Sequence, residues 1–151
     1  MIEIRYATLH DLEIIVEFNS AMARETEYIE LKSETIRAGV RNLLTNKVLG
    51  FYLIADVNDK SVGQVLITTE WSDWSNGYFW WIQSVYVNPD YRRKNVYRRL
   101  HEKVTKLALN QGNVRGLRLY VDSDNSRAQK VYKLMGMNQS SYVFFEDEWN
   151  E

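Results

Sequence analysis

Apolar side chains recur along this chain with two periods, and the change from one period to the other marks its secondary structure. Residues 2–6 alternate apolar and charged side chains, which predicts a half-buried first strand. Two segments with apolar residues at helical spacing follow, one beginning at Leu12 after the potential cap Asp11 and one beginning at Ser33. A strand followed by a pair of helices is therefore predicted.

The middle of the chain is typical of antiparallel strands. Segments 51–57 and 61–69 are rich in β-branched and apolar residues and flank the turn residues 58–60, which indicates a hairpin. A polar turn over residues 70–77 leads into a further strand at 78–87. Three consecutive antiparallel strands are expected here.

The last third returns to alternating helices and strands. Residues 95–110 carry apolar side chains on one helical face, and a right-handed crossover would place a short strand at 117–121 parallel to the strand at 78–87. A helix over 126–135 and a final strand over 142–145 complete the order β-αα-βββ-α-β-α-β. This order predicts an α+β fold with a mixed, mostly antiparallel sheet.

Composition narrows the class of protein. The chain has 151 residues, 45% of them hydrophobic, so a single domain spanning residues 1–151 is predicted. No segment approaches the roughly 20 apolar residues of a membrane span, and the first residues lack the apolar run of a signal peptide. We therefore expect a cytoplasmic protein without a membrane partner. There is no cysteine, and His10 and His101 form no metal-binding pattern, so no metal site is expected.

A Pro-Asp turn followed by a basic helix start is the most informative segment. Five cations crowd the predicted helix start: Arg92, Arg93, Lys94, Arg98 and Arg99. Free N–H groups and the helix dipole favour an anion at this end. The cluster could bind a diphosphate-bearing cofactor, stack nucleic acid on Tyr91 and Tyr97, or form a solvated surface. The overall net charge of −1 weighs against nucleic acid.

Two motifs resemble those of the GNAT family of N-acetyltransferases, and the resemblance covers essentially the whole chain. The first motif is the family's acetyl-CoA loop, in which a strand ends in V-x-P-x-x-R and is followed by Q/R-x-x-G-x-G/A. The second part of this motif corresponds to Arg92-Arg93-Lys94-Asn95-Val96-Tyr97. The pattern N-x-x-A-x-x-x-Y-x-x-x-G-F/M is matched from Asn125 to Met137. Residues 71–74 and 79–84 resemble a bacterial subgroup whose substrate is unknown to us.

The resemblance implies a three-layer fold whose parallel fourth and fifth strands splay apart, with acetyl-CoA as the cofactor. Unpaired strand backbone would hold the pantetheine, the basic loop would hold the pyrophosphate, and an asparagine would bind the pantetheine arm. The residues that it implies as cofactor ligands are Val85, Tyr86, Val87, Arg92, Arg93, Lys94, Asn95, Val96, Tyr97, Arg98 and Asn125.

The loop departs from the family pattern at two positions that small residues usually occupy. Asn95 is the best-tolerated residue other than glycine at positive φ, so it can preserve the loop. Tyr97 leaves its N–H available if its side chain points back along the helix surface. These departures motivate an alternative, a CoA-binding or acyl-CoA-binding sensor without catalysis.

For the chemistry, the resemblance implies Tyr132 as the general acid that protonates the departing thiolate; the alternative is a tyrosine packed in the core. Glu70 is the candidate general base, with Glu25 and Glu27 as further acids and a water relay as the alternative. A cluster of tryptophans between positions 71 and 81 indicates an aromatic acceptor pocket or a homodimer surface.

The sequence therefore predicts an acetyl-CoA-dependent N-acetyltransferase. The acetyl group would pass directly to a small-molecule or peptide amine within a ternary complex. The sensor is the first alternative, and an RNA-contacting module is the second.

Overall fold

The computed structural model describes residues 1–150, and contacts within the chain divide it into two compact units, Met1–Leu119 and Tyr120–Glu151. The first unit contains β1 (Ile2–Tyr6), α1 (Leu12–Glu27), α2 (Ser33–Thr45), β2 (Phe51–Val57), β3 (Lys60–Ser72), β4 (Gly77–Val87), α3 (Val96–Gln111) and β5 (Val114–Arg118). The second contains α4 (Ser126–Leu134). Whether the chain is a single domain stays a prediction.

A five-stranded sheet in the order β1-β2-β3-β4-β5 forms the centre of the first unit. The first four strands pair antiparallel, and β4 pairs parallel with β5. This confirms the predicted mixed α+β fold.

Helices cover both faces of the sheet. Neighbouring residues of a strand point to opposite faces, and apolar side chains on both faces are buried against helices. In β2, Leu53 packs into the core beneath α3, whereas Ile54 packs into the core beneath α1 and α2. Strands that are buried on both faces read as continuous apolar runs, as β2 and β3 do. Three layers result, as the resemblance implied.

The structure moves β5 from the predicted residues 117–121 to Val114–Arg118. Gly116 lies in the middle of the strand because the Phe79 ring of β4 packs over it, and a Cβ there would come within 3.1 Å of Phe79 Cε1. Gly116 and the two arginines of this segment, Arg115 and Arg118, are not typical of a strand, so the sequence pattern did not indicate where β5 begins. The contact with Phe79 explains why a strand forms there.

The predicted final strand is wrong, because residues 142–145 carry no strand. A run of β-branched and aromatic residues forms a strand only where a neighbouring strand accepts its backbone hydrogen bonds. Within the second unit the described element is α4, so the segment has no strand neighbour in that unit.

Two further details concern the start and end of α1. Asp11 precedes α1 without a side-chain cap hydrogen bond, and its carboxylate instead binds the Arg5 guanidinium and the Thr8 N–H. The helix continues through Glu27, so the two candidate acids Glu25 and Glu27 lie on its last turn.

Candidate active site

A β-bulge interrupts β4 at Ser84. Gln64 of β3 pairs with Tyr86 and Leu66 pairs with Gln83, so two residues of β4 lie opposite one residue of β3. Ser84 has a φ of 50°, the left-handed region that a serine rarely adopts. The bulge therefore redirects the strand at this point.

The pairing between β4 and β5 ends just before the bulge. Its last pair joins Trp81 to Arg118, so residues 82–87 have no β5 partner among the described residues. Backbone N–H and C=O groups on that side of β4 have no strand partner there, although the Val87 carbonyl already accepts from Arg92 Nε. The pairing with β5 thus ends where the resemblance placed the pantetheine.

Buried polar side chains hold the bulge from beneath. Gln64 Nε2 donates to the Ser84 carbonyl over 3.0 Å and to Asn19 Oδ1 over 3.4 Å. Asn19 Nδ2 in turn donates to the Tyr52 hydroxyl over 3.3 Å, and burial raises the pKa of that phenol. Since both acceptors of Gln64 are oxygens, the orientation of its amide is fixed.

The segment between β4 and α3 folds into a turn that opens at the helix start. Asn88 Oδ1 accepts from the Asp90 N–H in a short 3-10 turn. Arg93 and Asn95 then adopt positive φ values of 63° and 67°, so Asn95 takes the conformation for which the family uses glycine. No side chain caps α3, which leaves the N–H groups of its first turn open to an anion.

The basic side chains of this loop have different partners. Arg92 is paired with Glu25 of α1 at 2.8 Å and donates through Nε to the Val87 carbonyl over 2.8 Å. Lys94 Nζ lies 5.6 Å from the centre of the Tyr91 ring. Two further cations, Arg93 and Arg98, are exposed.

Tyr97 leaves the helix start open. Its hydroxyl forms a 3.0 Å hydrogen bond with His101 Nδ1, one turn further along α3. The side chain thus lies along the helix toward its C-terminal end, and not back toward its N-terminal end as the sequence suggested. The neighbouring Val96 is buried in the core and fixes the first turn against the sheet.

Glu70 lies at the far end of β3 in an exposed cluster. One oxygen, Oε1, accepts from Trp81 Nε1 over 2.8 Å and from Arg118 Nη1 over 3.0 Å. Arg118 also stacks on Phe79, with its guanidinium carbon 3.6 Å from the ring centroid. Glu70 therefore anchors two side chains at the end of the β4–β5 pairing.

The tryptophans of this region differ in how far they are buried. Trp80 is buried in the core, where its ring meets Phe51 edge-on, whereas Trp71 and Trp74 are exposed. An aromatic acceptor pocket and a dimer surface both stay open as interpretations of the two exposed rings.

Two predicted site residues, Asn125 and Tyr132, belong to the second unit. Asn125 caps α4, with Oδ1 accepting from the Ala128 N–H over 3.1 Å, so its Nδ2 is the group left for a cofactor. Tyr132 is partly buried on α4, and burial raises the pKa of its phenol. The hydroxyl consequently keeps its proton through neutral pH.

Sequence reasoning missed the side chains that hold the loop and the bulge. Glu25 and Arg92 are 67 positions apart, and no local signal links them. Gln64 had a signal, because it is a polar residue within the buried apolar run from Val62 to Ile67.

The described residues contain no group of three or more histidine, aspartate or glutamate side chains arranged to hold a metal ion. None of the helices described here is both long enough and apolar enough to cross a membrane.

Residues 13–137 match the sequence profile of the Acetyltransferase (GNAT) family. The chain belongs to this family. No curated protein matches the sequence. Among solved structures, a possible acetyltransferase from Clostridium difficile 630 is similar at 40% identity and a TM-score of 0.93, covering 100% of this chain and 99% of that one.

Two other similar structures have low identity and bear on the fold alone. AAC(6')-Iy in complex with the bisubstrate analog CoA-S-monomethyl-acetylneamine has 16% identity and a TM-score of 0.82, with 99% of each chain covered. A predicted acetyltransferase with acetyl-CoA from Clostridium acetobutylicum has 19% identity and a TM-score of 0.80, covering 97% of this chain and 96% of that chain. The family assignment and the fold predicted from the sequence are both confirmed.

The GNAT family transfers acetyl groups and uses acetyl-CoA, so the chain is an acetyltransferase and the predicted cofactor is confirmed. The donors in the first unit fit this cofactor. Backbone groups of 82–87 suit the pantetheine amides, and the open start of α3 beside Arg93 and Lys94 suits a diphosphate.

Proposed function

We propose that this acetyltransferase is an N-acetyltransferase that transfers the acetyl group of acetyl-CoA directly to an amine in a ternary complex. One observation carries the proposal: a bulged strand without a β5 partner over residues 82–87 is followed, after the basic loop, by an uncapped helix start. Acetyl-CoA would supply the activated acetyl group as a thioester. The chain would hold it, orient it and manage the protons.

The cofactor would be held mainly by backbone groups. Val85, Tyr86 and Val87 would bind the pantetheine amides, and an N–H at the bulge would face the thioester oxygen and stabilise negative charge there. The loop from Arg93 to Arg98 would bind the pyrophosphate through N–H groups and positive charge. Asn125 would add its Nδ2 to the pantetheine arm.

Arg92 would act differently from the other loop cations. Its guanidinium binds Glu25 and the Val87 carbonyl, so it joins the last turn of α1 to the end of β4. We propose that Arg92 positions the β4 backbone for the cofactor and contributes its charge to the phosphates at longer range.

Tyr132 is the proposed general acid. The carbon–sulfur bond breaks as the carbon–nitrogen bond forms, and the phenol would give its proton to the departing thiolate. Burial raises the pKa of the phenol, which makes it a weaker acid, so the proposed role rests on its position and on its being an uncharged donor. Glu70 is the candidate base through Oε2, since Oε1 already accepts two hydrogen bonds; a water relay is the alternative.

The Tyr132→Phe variant tests this role, because it removes the hydroxyl and keeps the ring. We expect acetyl-CoA affinity to stay within about twofold while kcat falls roughly 10²-fold or more. Calorimetry and steady-state kinetics on an amine panel would measure both quantities. Tyr6→Phe is the matched control, since Tyr6 lies exposed on β1.

If Tyr132→Phe kept full activity at saturating cofactor, the proton donor to the thiolate would be water or the substrate ammonium, and Tyr132 would be structural. If the wild type bound acetyl-CoA and acetylated no amine, a sensor would replace the enzyme.

A further inference from the structure

The two faces of the sheet beside β4 differ in what can reach them. Val96, at the start of α3, packs into the core on the α3 face, so an anion at that helix start lies on this face. Helices α1 and α2 pack against the opposite face, over Tyr52, Ile54 and Leu66. An acceptor that meets the cofactor at residues 82–87 of β4 would therefore approach from the opposite face.

At the end of the β4–β5 pairing, this opposite face carries two charged and two aromatic side chains. Phe79 and Trp81 point to it, because they alternate with Trp80, which is buried on the α3 face. Glu70 and Arg118 lie there as well, since Glu70 Oε1 accepts from Trp81 Nε1 over 2.8 Å and from Arg118 Nη1 over 3.0 Å. We call Glu70, Phe79, Trp81 and Arg118 the platform. All four of its residues are at least partly exposed.

Arg118 has a fixed position at the edge of the candidate cofactor site. It is the last residue of β5, and its pairing with Trp81 is the last pair between the two parallel strands. Its guanidinium carbon lies 3.6 Å from the centroid of the Phe79 ring, and its side chain is 37% exposed. A guanidinium that two neighbours already hold loses little conformational freedom when it binds a ligand.

The hydrogen-bonding groups that the platform leaves over are a matched pair of opposite charge. Arg118 uses Nη1 for Glu70, whereas its Nε and Nη2 have no hydrogen-bond partner among the described residues. Glu70 accepts both of its hydrogen bonds through Oε1, so Oε2 is left for a cation. A guanidinium edge suits a carboxylate, which it can bind through two parallel hydrogen bonds.

The other arginine of β5 shows what a structural role looks like. Arg115 Nε donates to the Ser75 carbonyl over 2.9 Å, and Arg115 Nη2 donates to the Asn76 carbonyl over 2.8 Å. These are the same two nitrogens that Arg118 leaves without a described partner. Arg115 therefore holds the turn between β3 and β4, while Arg118 keeps its hydrogen-bonding edge for another group.

We propose that Arg118 binds a carboxylate of the acceptor, so that the amines which this protein acetylates are amino acids. The proposal rests on the proposed N-acetyltransferase function and names its substrate class. The carboxylate would accept from Nε and Nη2 of Arg118, and the amino group would lie toward Glu70 Oε2. An amine without a carboxylate would leave the Arg118 donors without an anion and would bind less well.

Matched pairs of amines test the proposal, each pair being an amino acid and its primary amide. Release of CoA thiol gives kcat/KM for each amine, corrected for the fraction that is unprotonated at the assay pH. We expect the wild type to favour the amino acids by about tenfold or more, the value of hydrogen bonds between charged groups. Peptides with a distant carboxylate should behave like the amides.

Arg118→Gln should lower kcat/KM for the amino acids by about 10- to 100-fold, mainly through a higher KM for the amine. Its values for the amides and its KM for acetyl-CoA should stay nearly unchanged. Arg115→Gln is the matched control, because it removes the same charge from the same strand and should keep the preference for amino acids. Arg118→Lys keeps the charge without the planar fork, so it should show an intermediate preference, and it replaces Arg118→Gln if that variant fails to fold.

The outcomes separate this inference from the function on which it rests. Acetylation of amino acids and amides with equal kcat/KM would overturn the inference and leave the N-acetyltransferase in place. A wild type that acetylates no amine would overturn the function itself. An equal loss on both members of each pair in Arg118→Gln would make Arg118 structural, and a higher KM for acetyl-CoA would make it a cofactor ligand. Either of these results contradicts a carboxylate site.

Discussion

At the scale of single residues, Asn95 shows how the loop tolerates a departure from its family pattern. A glycine is common here because the backbone turns through positive φ, and Asn95 makes the same turn at 67°. Asparagine pays less for this conformation than other side chains because its short polar group can bond locally.

Two substitutions separate the backbone of Asn95 from its side chain. Asn95→Gly keeps the turn, so acetyl-CoA affinity should be unchanged or higher. Asn95→Ala removes the amide and strains the turn by about 1 kcal/mol, so affinity should fall. Calorimetric titration with acetyl-CoA measures both. A clear loss of affinity in Asn95→Gly would show instead that the side chain makes a needed contact.

Residue types and spacing sufficed to identify the cofactor loop, the open helix start and the family. They did not reveal the partners of the side chains. Arg92 meets Glu25 only because α1 packs beside the end of β4, and Tyr97 turns toward His101 because a hydrogen-bonding partner lies one turn ahead. The Arg92 contact depends on tertiary packing, whereas the Tyr97 contact spans one turn of α3, and it was missed because the side chain was expected to point the other way.

At the scale of elements, the bulge in β4 is the feature that links fold to chemistry. Gln64 holds the Ser84 carbonyl, so it is positioned to set the direction of the strand backbone that follows. Small displacements of a reacting group are costly in rate, and about 1 Å can cost 10²-fold. Gln64 therefore acts as a positioning residue in this account.

Gln64→Leu tests that role, because it removes the donor with little change in volume. We expect kcat to fall about tenfold or more, with the free energy of unfolding lowered by roughly 1–3 kcal/mol through the unpaired carbonyl. Kinetics and urea unfolding measure the two effects. Val104→Ala in α3 is the control, since it creates a cavity in the core and should lower stability while kcat is kept. Equal kcat values in wild type and Gln64→Leu would show that the bulge keeps its conformation without the Gln64 side chain.

Periodicity predicted the strands and helices of the first unit in the correct order. It misplaced β5 because Gly116 accommodates the Phe79 ring, a contact that no local pattern contains. It also predicted a strand over 142–145, a segment of the second unit in which the structure has no strand. A strand-like sequence shows only that a segment favours extended backbone. Whether it forms a strand depends on hydrogen bonding to a neighbouring strand.

At the scale of the whole molecule, His101 makes stability depend on pH. It is buried in α3, and burial lowers the pKa of its imidazole, an effect that the nearby Glu102 carboxylate partly opposes. The native protein then binds this proton less readily than the unfolded chain. Stability from this group is present above the ordinary histidine pKa of 6.5 and is lost as pH falls through the lowered value.

Urea unfolding between neutral and mildly acidic pH should therefore show a falling free energy of unfolding below pH 6.5. The slope should flatten in His101→Gln, whereas His10→Gln is the control and should keep it, because His10 is exposed. The same slope in wild type and His101→Gln would assign the pH dependence to other groups.

The central claim, that this GNAT protein acetylates amines, is tested most directly by the release of CoA thiol from acetyl-CoA in the presence of an amine panel. The chain contains no cysteine, so a thiol reagent reads the product without background from the protein. We predict amine-dependent release with one acetylated amine formed for each thiol. Tight binding of acetyl-CoA without release on any small-molecule or peptide amine would contradict the account.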